Sequence, residues 1–335
     1  MKKRAIKILS AVLAPPLLLF FTFLIYLHTP ITPTLPEIHL EKGMPLRDIA
    51  NKLEEQQIIR FPFLFRLYAQ TTGNGGRLKA GVYLFDKPST PKEVLNKLVK
   101  GLVEVVKVKI IEGWTAKEIA QYLHSLPSNT NPQFQQIFLE KIKDPLFIKT
   151  LGLQVETLEG YLYPDTYFLE RGATPGDAIS QFVTEFWKND QKALEGLPAL
   201  PTYSQHQIVT LASLIEKESG VDAERPIIAS VFYNRLAKGM ALQSDPTIIY
   251  GLKNFSGDIK RADIRNPHPY NTYMHAGLPP GPICNPGFAS IKAALNPAKT
   301  NYLYFVSKGD GTHYFSRTAE EHSEAVRKFQ MKKEE

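Results

Sequence analysis

The sequence predicts an α+β protein built from an N-terminal transmembrane helix, a small αβ region, and a helix-rich α+β domain with long ordered loops and a C-terminal hairpin plus helix. Three observations predict it. Ile8 to Leu27 is a run of 20 residues without a charge. A short apolar strand, a polar turn and a helix with an apolar face recur three times between positions 38 and 123. Beyond about residue 128, helix start signals alternate with a long segment rich in Pro, Gly, Asn and Tyr. At 335 residues, with 43% hydrophobic and 22% charged content, the chain has material for about two domains with real cores.

As a helix, Ile8 to Leu27 rises about 30 Å, the thickness of a bilayer's hydrocarbon core. Lys2, Lys3, Arg4 and Lys7 precede it and acidic, polar sequence follows, which favours a cytoplasmic N-terminus and places the remainder outside the cytoplasm. Pro15 and Pro16 are tolerated better in a membrane helix than in water. A cleaved signal peptide is the rival reading. The length of the run, and the lack of small residues at an Ala-x-Ala spacing in His28-Thr29-Pro30, favour the anchor. The four basic residues also account for most of the formal charge of +7, leaving 36 basic against 33 acidic residues, so nucleic acid is not an expected partner. Cys284 is the only cysteine, which excludes an intramolecular disulfide framework; with histidines scattered, no structural metal site is expected.

Residues 28–36 carry three prolines and no acidic or basic side chain beyond His28, the composition of a stiff spacer holding the next region off the membrane. The three copies of the repeat are Ile38 to Leu53, Val82 to Leu98 and Val106 to Leu123. In the first, Gly43 precedes Ile49-Ala50-Asn51-Lys52-Leu53; in the third, Gly113 precedes Ile119-Ala120-Gln121-Tyr122-Leu123. The shared Ile-Ala-x-x-Leu spacing places both branched residues on one helix face. These units resemble LysM modules, which bind N-acetylglucosamine polymers; a plain αβ packing unit without a sugar groove fits the same pattern. Pro62 to Gln70 is a further helix with its proline at the first position. The resulting division is a basic tail over 1–7, the anchor over 8–27, the linker over 28–36, the LysM-like region over 37–126 and a second domain over 127–335.

In that second domain, Thr174 to Asp177 and Ser204 to Gln207 have the spacing of capping boxes. Residues 226–238 form an amphipathic helix closed by Gly239, residues 302–306 and 313–316 a hairpin around Gly309-Asp310-Gly311, and Thr318 with Glu321 opens a last helix. Gln243 to Pro297 shows little helical period and is expected as ordered loops, which at such length usually serve function.

The helix from about Gln205 carries Ile208, Leu211, Leu214 and Ile215 as its apolar stripe, and Glu218 continues that stripe at the helix end, beside Gly220. An inward carboxyl loses water, so its pKa rises toward the range useful to a general acid. Glu216, about 200° around the helix, faces solvent or an ion pair. A helix-end carboxylate paired with Lys217 or Arg225 is the alternative for Glu218. The loops supply flat and hydrogen-bonding groups of the kind that sugars need: Gln243, Ser244, Asp245, Tyr250, Asn271, Thr272, Tyr273 and Asn285, with Tyr161 and Tyr163 farther off.

Leu211 to Glu218, Leu242 to Gly251, Tyr270 to Tyr273, Gly277 to Ile283, Glu159 to Tyr167 and Tyr302 to Val306 together are similar to the signature of the membrane-bound endolytic murein transglycosylase (MltG, YceG-like) family. The likeness runs in order over essentially the whole chain, anchor included. It implies a lyase of the inner membrane that cleaves the β-1,4 bond between N-acetylmuramic acid and N-acetylglucosamine in peptidoglycan strands without water, leaves a 1,6-anhydromuramyl end, uses no cofactor and terminates nascent strands. It also implies penicillin-binding proteins as partners, and it maps the essential glutamate onto Glu218. Ser219, Gln243, Ser244, Asp245, Asn271 and Tyr273 are the candidate substrate-binding residues, with Ser219 expected to orient the Glu218 carboxyl. If Asp245 lies opposite Glu218 at a glycosidase spacing, a lysozyme-like hydrolase is the better reading; if it starts a helix at Pro246 it is an N-cap. A non-catalytic anchored scaffold that binds glycan for cell-wall synthases is the alternative from another class.

Overall fold

The computed structural model describes residues 2–129, 131–195, 197, 203–252, 255 and 257–330, with the side chains of residues 2–14 outside the description. The fold is a helix-rich α+β arrangement with three two-stranded sheets among the described residues, and the chain divides into two compact units.

The first unit comprises Met1–Lys107 and Phe168–Ala173. It contains α1 (Lys2–His28), β1 (Glu37–Leu40), α2 (Leu46–Glu55), α3 (Pro62–Thr71), β2 (Gly81–Leu84) and α4 (Pro91–Lys100). β1 pairs antiparallel with β2, Ile38 opposite Tyr83 and Leu40 opposite Gly81. The predicted helix face is buried as the spacing requires: Ile49, Ala50 and Leu53 from α2 and Val94, Leu95 and Leu98 from α4 join Ile38, Leu40, Phe65 and Tyr83 in one core. Pro45 precedes α2 without a side-chain cap, whereas Thr90 and Glu93 form a reciprocal capping box on α4, which ends at Gly101 in the left-handed conformation.

Residues 28–36 are not a free spacer. Ile31 is buried and bridges to Ser89 through paired backbone hydrogen bonds, and Thr34 donates to Gln57. The reason is the apolar content between the prolines: an Ile that can leave water by packing does so. The helical conformation of α1 matches the apolar run, with Pro15 and Pro16 inside it. Among the described residues no helix is long and apolar enough to cross a membrane, and the first part of the run, residues 8–14, lies outside the described side chains.

The division falls inside β3 (Val105–Lys109) and again inside its partner strand β4 (Thr166–Glu170), so the third strand-turn-helix copy straddles it, with α5 (Ala116–Ser125) in the second unit. The second unit, Val108–Tyr167 and Thr174–Glu335, continues with α6 (Phe134–Lys141), α7 (Pro145–Thr150), β4 (Thr166–Glu170), α8 (Pro175–Leu194), α9 (Gln205–Glu218) and α10 (Arg225–Ala237). After these come α11 (Asp245–Gly251), α12 (Arg261–Ile264), α13 (Phe288–Leu295), β5 (Tyr304–Ser307), β6 (His313–Ser316) and α14 (Ala319–Phe329). The capping boxes at Thr174 and Ser204 and the hairpin form as expected. α13 lies inside the segment expected as loops. Its N-cap is Gly287, which offers no side-chain signal, and its eight residues give too little period to stand out.

α9 is the axis of this unit. Every residue from Ile208 to Ile215 is buried, so the helix is enclosed on all sides rather than along one stripe. Its polar members are satisfied locally: Thr210 Oγ1 donates to His206 O, and Ser213 Oγ donates to Thr210 O while accepting from Ile283 N.

Candidate active site

Glu218 is the last residue of α9, with Ser219 as its C-cap in extended backbone. The Ser204 capping box fixes the start of the helix and the buried run 208–215 fixes its rotation, which together place the Glu218 carboxyl at the end of the enclosed axis. The residue keeps partial access to solvent. Burial of the carboxyl is the main cause that pushes its pKa up to about 7; the charge of Asp245 adds to the rise, while the Ser244 hydrogen bond and the Arg235 charge oppose it. A group poised there can give and retake a proton near neutral pH.

Ser244 Oγ donates to Glu218 Oε1 at 2.6 Å, the one hydrogen bond to this side chain among the described residues. Ser244 is buried and held from three directions. Its N–H donates to Thr272 Oγ1 (3.0 Å), its carbonyl accepts from Thr247 Oγ1 (2.6 Å), and the preceding Gln243 N–H donates to Thr272 O (3.1 Å). Gln243 has φ +51°, the left-handed region that a non-glycine residue enters only when its surroundings fix it. Arg235 supplies part of that fixing: its guanidinium donates to Ala241 O (3.3 Å) and Leu242 O (2.7 Å) just before the bend, donates to Leu303 O (2.6 Å), and lies over the Tyr304 ring.

The neighbouring acidic groups sort clearly. Arg225, the cation nearest in sequence after Lys217, is buried with Glu216 (3.0 Å), also contacts Asp222, and donates from Nε to Ser290 Oγ. Glu216 Oε2 accepts from Gly287 N, so Glu216 takes the ion-pair option rather than the solvent one. Lys217 Nζ reaches Gly113 O. No ion pair to Glu218 exists among the described residues, so it is not the paired helix-end carboxylate that its position allowed. The hairpin tip closes over the helix end: a Cβ on Gly220 would lie 2.9 Å from Gly311 O.

The other candidates divide into those at the carboxyl and those that hold loops. Ser219 does not orient Glu218; its hydroxyl donates to Val221 O, because the extended backbone at the cap turns it away, and Ser244 takes that place. Asp245 is not an N-cap: it is the first residue of α11, after Ser244, with no capping hydrogen bond, and its Oδ1 accepts from Tyr273 Oη at 2.7 Å. Gln243 is exposed beside Ser244 with no side-chain partner among the described residues. Asn271 is buried, its amide donating to Asp263, Ile264 and Asn266 carbonyls and its Oδ1 accepting from Tyr273 N. Asn271 therefore shapes the loop and has no free amide to offer a sugar. Tyr161 and Tyr163 are core residues, and Asn285 is fully buried, bonding Gly160, Leu162, Trp114 and Glu159.

Glu159, which the sequence offered only as the first residue of the Glu159 to Tyr167 stretch and with no role of its own, is a second buried carboxyl. It accepts from Ala116 N, Asn285 Nδ2 and Tyr250 Oη, and burial pushes its pKa up to about 7. Its partners lie up to 126 positions away, so no local pattern reveals its burial. Arg235, Thr247 and Thr272 were likewise invisible as supports of Ser244, since their contacts join separate loops. Among the described residues no group of three or more His, Cys, Asp or Glu side chains is placed to hold a metal ion.

The second unit thus carries, at the end of an enclosed helix, a carboxyl with a raised pKa that one hydroxyl holds. The chain belongs to the YceG-like family, whose profile matches residues 38–328. It is 32% identical over 324 residues to the endolytic murein transglycosylase of Bacillus subtilis (strain 168), a match covering 90% of this chain and 87% of that protein. It is 29% identical over 317 residues to the endolytic murein transglycosylase of Streptococcus pneumoniae serotype 2 (strain D39 / NCTC 7466), covering 86% of this chain and 57% of that protein. A 2.6 Å crystal structure of a YceG-like protein from Listeria monocytogenes superposes with a TM-score of 0.56 at 33% identity, covering 86% of this chain and 97% of that one.

Proposed function

We propose that this protein is an endolytic murein transglycosylase that cuts peptidoglycan glycan strands with Glu218 as its one acid and base. The observation that carries the reading is the Glu218 carboxyl itself: free of any ion pair among the described residues, pushed up to about 7 and held by a single hydroxyl. Protonated Glu218 donates to the leaving glycosidic oxygen between N-acetylmuramic acid and N-acetylglucosamine. The resulting carboxylate, steadied by Ser244, takes the proton of the muramyl 6-hydroxyl as that oxygen closes on C1. The bond to the leaving sugar breaks, the 1,6-anhydro bond forms, and Glu218 returns to its starting state without water or cofactor. A hydrolase needs a second carboxylate free to act as nucleophile or base. Asp245, whose charge acts on Glu218, accepts one hydrogen bond from the Tyr273 hydroxyl, and the reducing-end test below decides whether it takes part. In this reading the exposed amide of Gln243, next to Ser244, meets an acetamide or ring hydroxyl of the strand.

The same reading has Ile8 to Leu27 as an uncleaved anchor of the inner membrane with a cytoplasmic N-terminus and the catalytic unit outside. It has the LysM-like region contacting glycan, and penicillin-binding proteins supplying the nascent strand. Labelling of reducing ends with borohydride tests the chemistry: cleavage without new reducible ends supports the transglycosylase, a rise in reducible ends shows hydrolysis, and no cleavage favours a glycan-binding scaffold.

A further inference from the structure

α1 does not leave the first unit at a distance. Its last turn is packed into it: Tyr26 and Leu27 are buried, the Tyr26 ring meets Phe61 edge-on at 5.8 Å, Tyr26 Oη donates to Phe61 O, and the Phe23 ring meets Tyr68 of α3 at 6.5 Å. On the other side of the same turn Phe20, Phe21 and Ile25 are exposed, as are Leu17 to Leu19 one turn earlier. α3, which meets α1 through Tyr68 and the preceding Phe61, exposes apolar side chains of its own. Phe63 is 64% exposed, Leu67, one turn along the same face, is 39% exposed, and Phe61 just before the helix is 55% exposed. Three large apolar side chains open to water beside a helix of the same character are costly in a soluble setting.

Their level relative to a bilayer follows from helix geometry. If the hydrocarbon ends near Leu27, the Phe23 contact with Tyr68 lies four residues, or about 6 Å, below that boundary. That is the depth, about 5–10 Å, at which interfacial helices rest with their apolar face among the acyl chains. His28, the final residue of α1, lines an open cleft in which the polar Thr90, Lys92, Glu93 and Asn96 meet Tyr68, Leu95 and Val99, the mixed character of a membrane-water interface. Arg60, exposed just before Phe61, adds a cation at the rim.

We propose that α3 is a second membrane contact, an interfacial helix whose Phe61, Phe63 and Leu67 side chains enter the outer leaflet beside α1. This rests on the anchoring role proposed for α1. The first unit then sits on the bilayer surface rather than above it on a spacer, and its orientation is set by two attachment points instead of one.

The test uses the full chain with Leu67→Cys, and separately Phe63→Cys, labelled with the environment-sensitive fluorophore NBD and reconstituted in vesicles of phosphatidylethanolamine and phosphatidylglycerol. Cys284 is fully buried, so the label reports the introduced thiol. The expected result for vesicle-bound protein is a blue-shifted emission, protection from aqueous iodide, and loss of emission when the lipids carry a nitroxide high on the acyl chain. Protein that floats with the vesicles but shows water-like, iodide-quenched emission at both positions overturns the interfacial helix and leaves the anchor standing. Protein that does not float overturns the anchor and this inference together. Neither outcome touches the glycan chemistry, which is assayed independently.

Discussion

The hydroxyl of Ser244 lies 2.6 Å from Oε1 of Glu218, joining a loop residue to a helix end 26 positions earlier in the chain. A hydroxyl that donates to a carboxyl favours its charged form, so it opposes the effect of burial on Glu218. Ser244→Ala is expected to raise the Glu218 pKa further and to leave the carboxylate formed after proton donation without its donor. Turnover should fall about ten- to a hundredfold, the worth of one hydrogen bond to a charged group. The alkaline limb of the pH-rate profile, where the acid loses its proton, should move to higher pH. Ser219→Ala, whose hydroxyl serves Val221, should change neither, and a pH-rate series on both variants checks the contrast.

Gln243 separates binding from folding. Alanine bears the same left-handed backbone as glutamine, so Gln243→Ala isolates the exposed amide. The expected outcome is a KM raised about five- to tenfold, the worth of one hydrogen bond, with kcat and Tm essentially unchanged. A fall in Tm with unaltered KM would assign the residue to loop structure instead.

Glu159 makes stability depend on pH in the direction opposite to a paired carboxylate. Its folded pKa, about 7, lies above the ordinary 4.5, so the folded state binds its proton more tightly than the unfolded chain does. The stabilisation is complete below the unfolded pKa and is lost as pH rises through 7, a loss of about 3 kcal/mol by pH 8 and beyond. Glu159→Gln keeps the shape and removes the titration, so the difference in Tm between variant and parent should shift in favour of the variant from pH 5 to pH 8. Thermal unfolding across that range measures it, and parallel curves would contradict the assignment.

Arg225 holds Glu216 in a buried pair, with Glu216 in turn accepting from Gly287 at the start of α13. Arg225→Met leaves Glu216 enclosed without its cation, and a loss of about 3–5 kcal/mol is expected in chemical denaturation. Replacing Asp222, the exposed partner of the same arginine, should cost under about 1 kcal/mol.

The parts of the site that were legible in the sequence are those governed by period and caps. The spacing of Ile49 with Leu53 and of Ile119 with Leu123 located buried helix faces, and Ser204 with Gln207 located the start of α9, which fixes where Glu218 falls. What a side chain in a loop touches is set by distant backbone, and there sequence reasoning went astray. Ser219 neighbours Glu218 in the chain yet faces Val221, while Ser244 reaches it only because Arg235, Thr247 and Thr272 hold the bend at Gln243. Asn271 has the chemistry of a sugar ligand but is enclosed by the backbone of residues 263–273. The proline-rich stretch after α1 suggested a spacer because prolines are visible in a sequence, whereas the pairing of Ile31 with the distant Ser89 is not.

The most direct test of Glu218 as the single acid and base is mass spectrometry of the products formed from uncrosslinked glycan strands by the full chain, beside Glu218→Gln. Glutamine keeps the shape and can still accept from Ser244, but it cannot donate a carboxylic proton. The account predicts fragments ending in anhydromuramic acid, one water lighter than reducing ends, from the parent protein, and none from a variant that still folds and binds glycan. Anhydro ends produced at an undiminished rate by Glu218→Gln, or reducing ends produced by the parent, would contradict it.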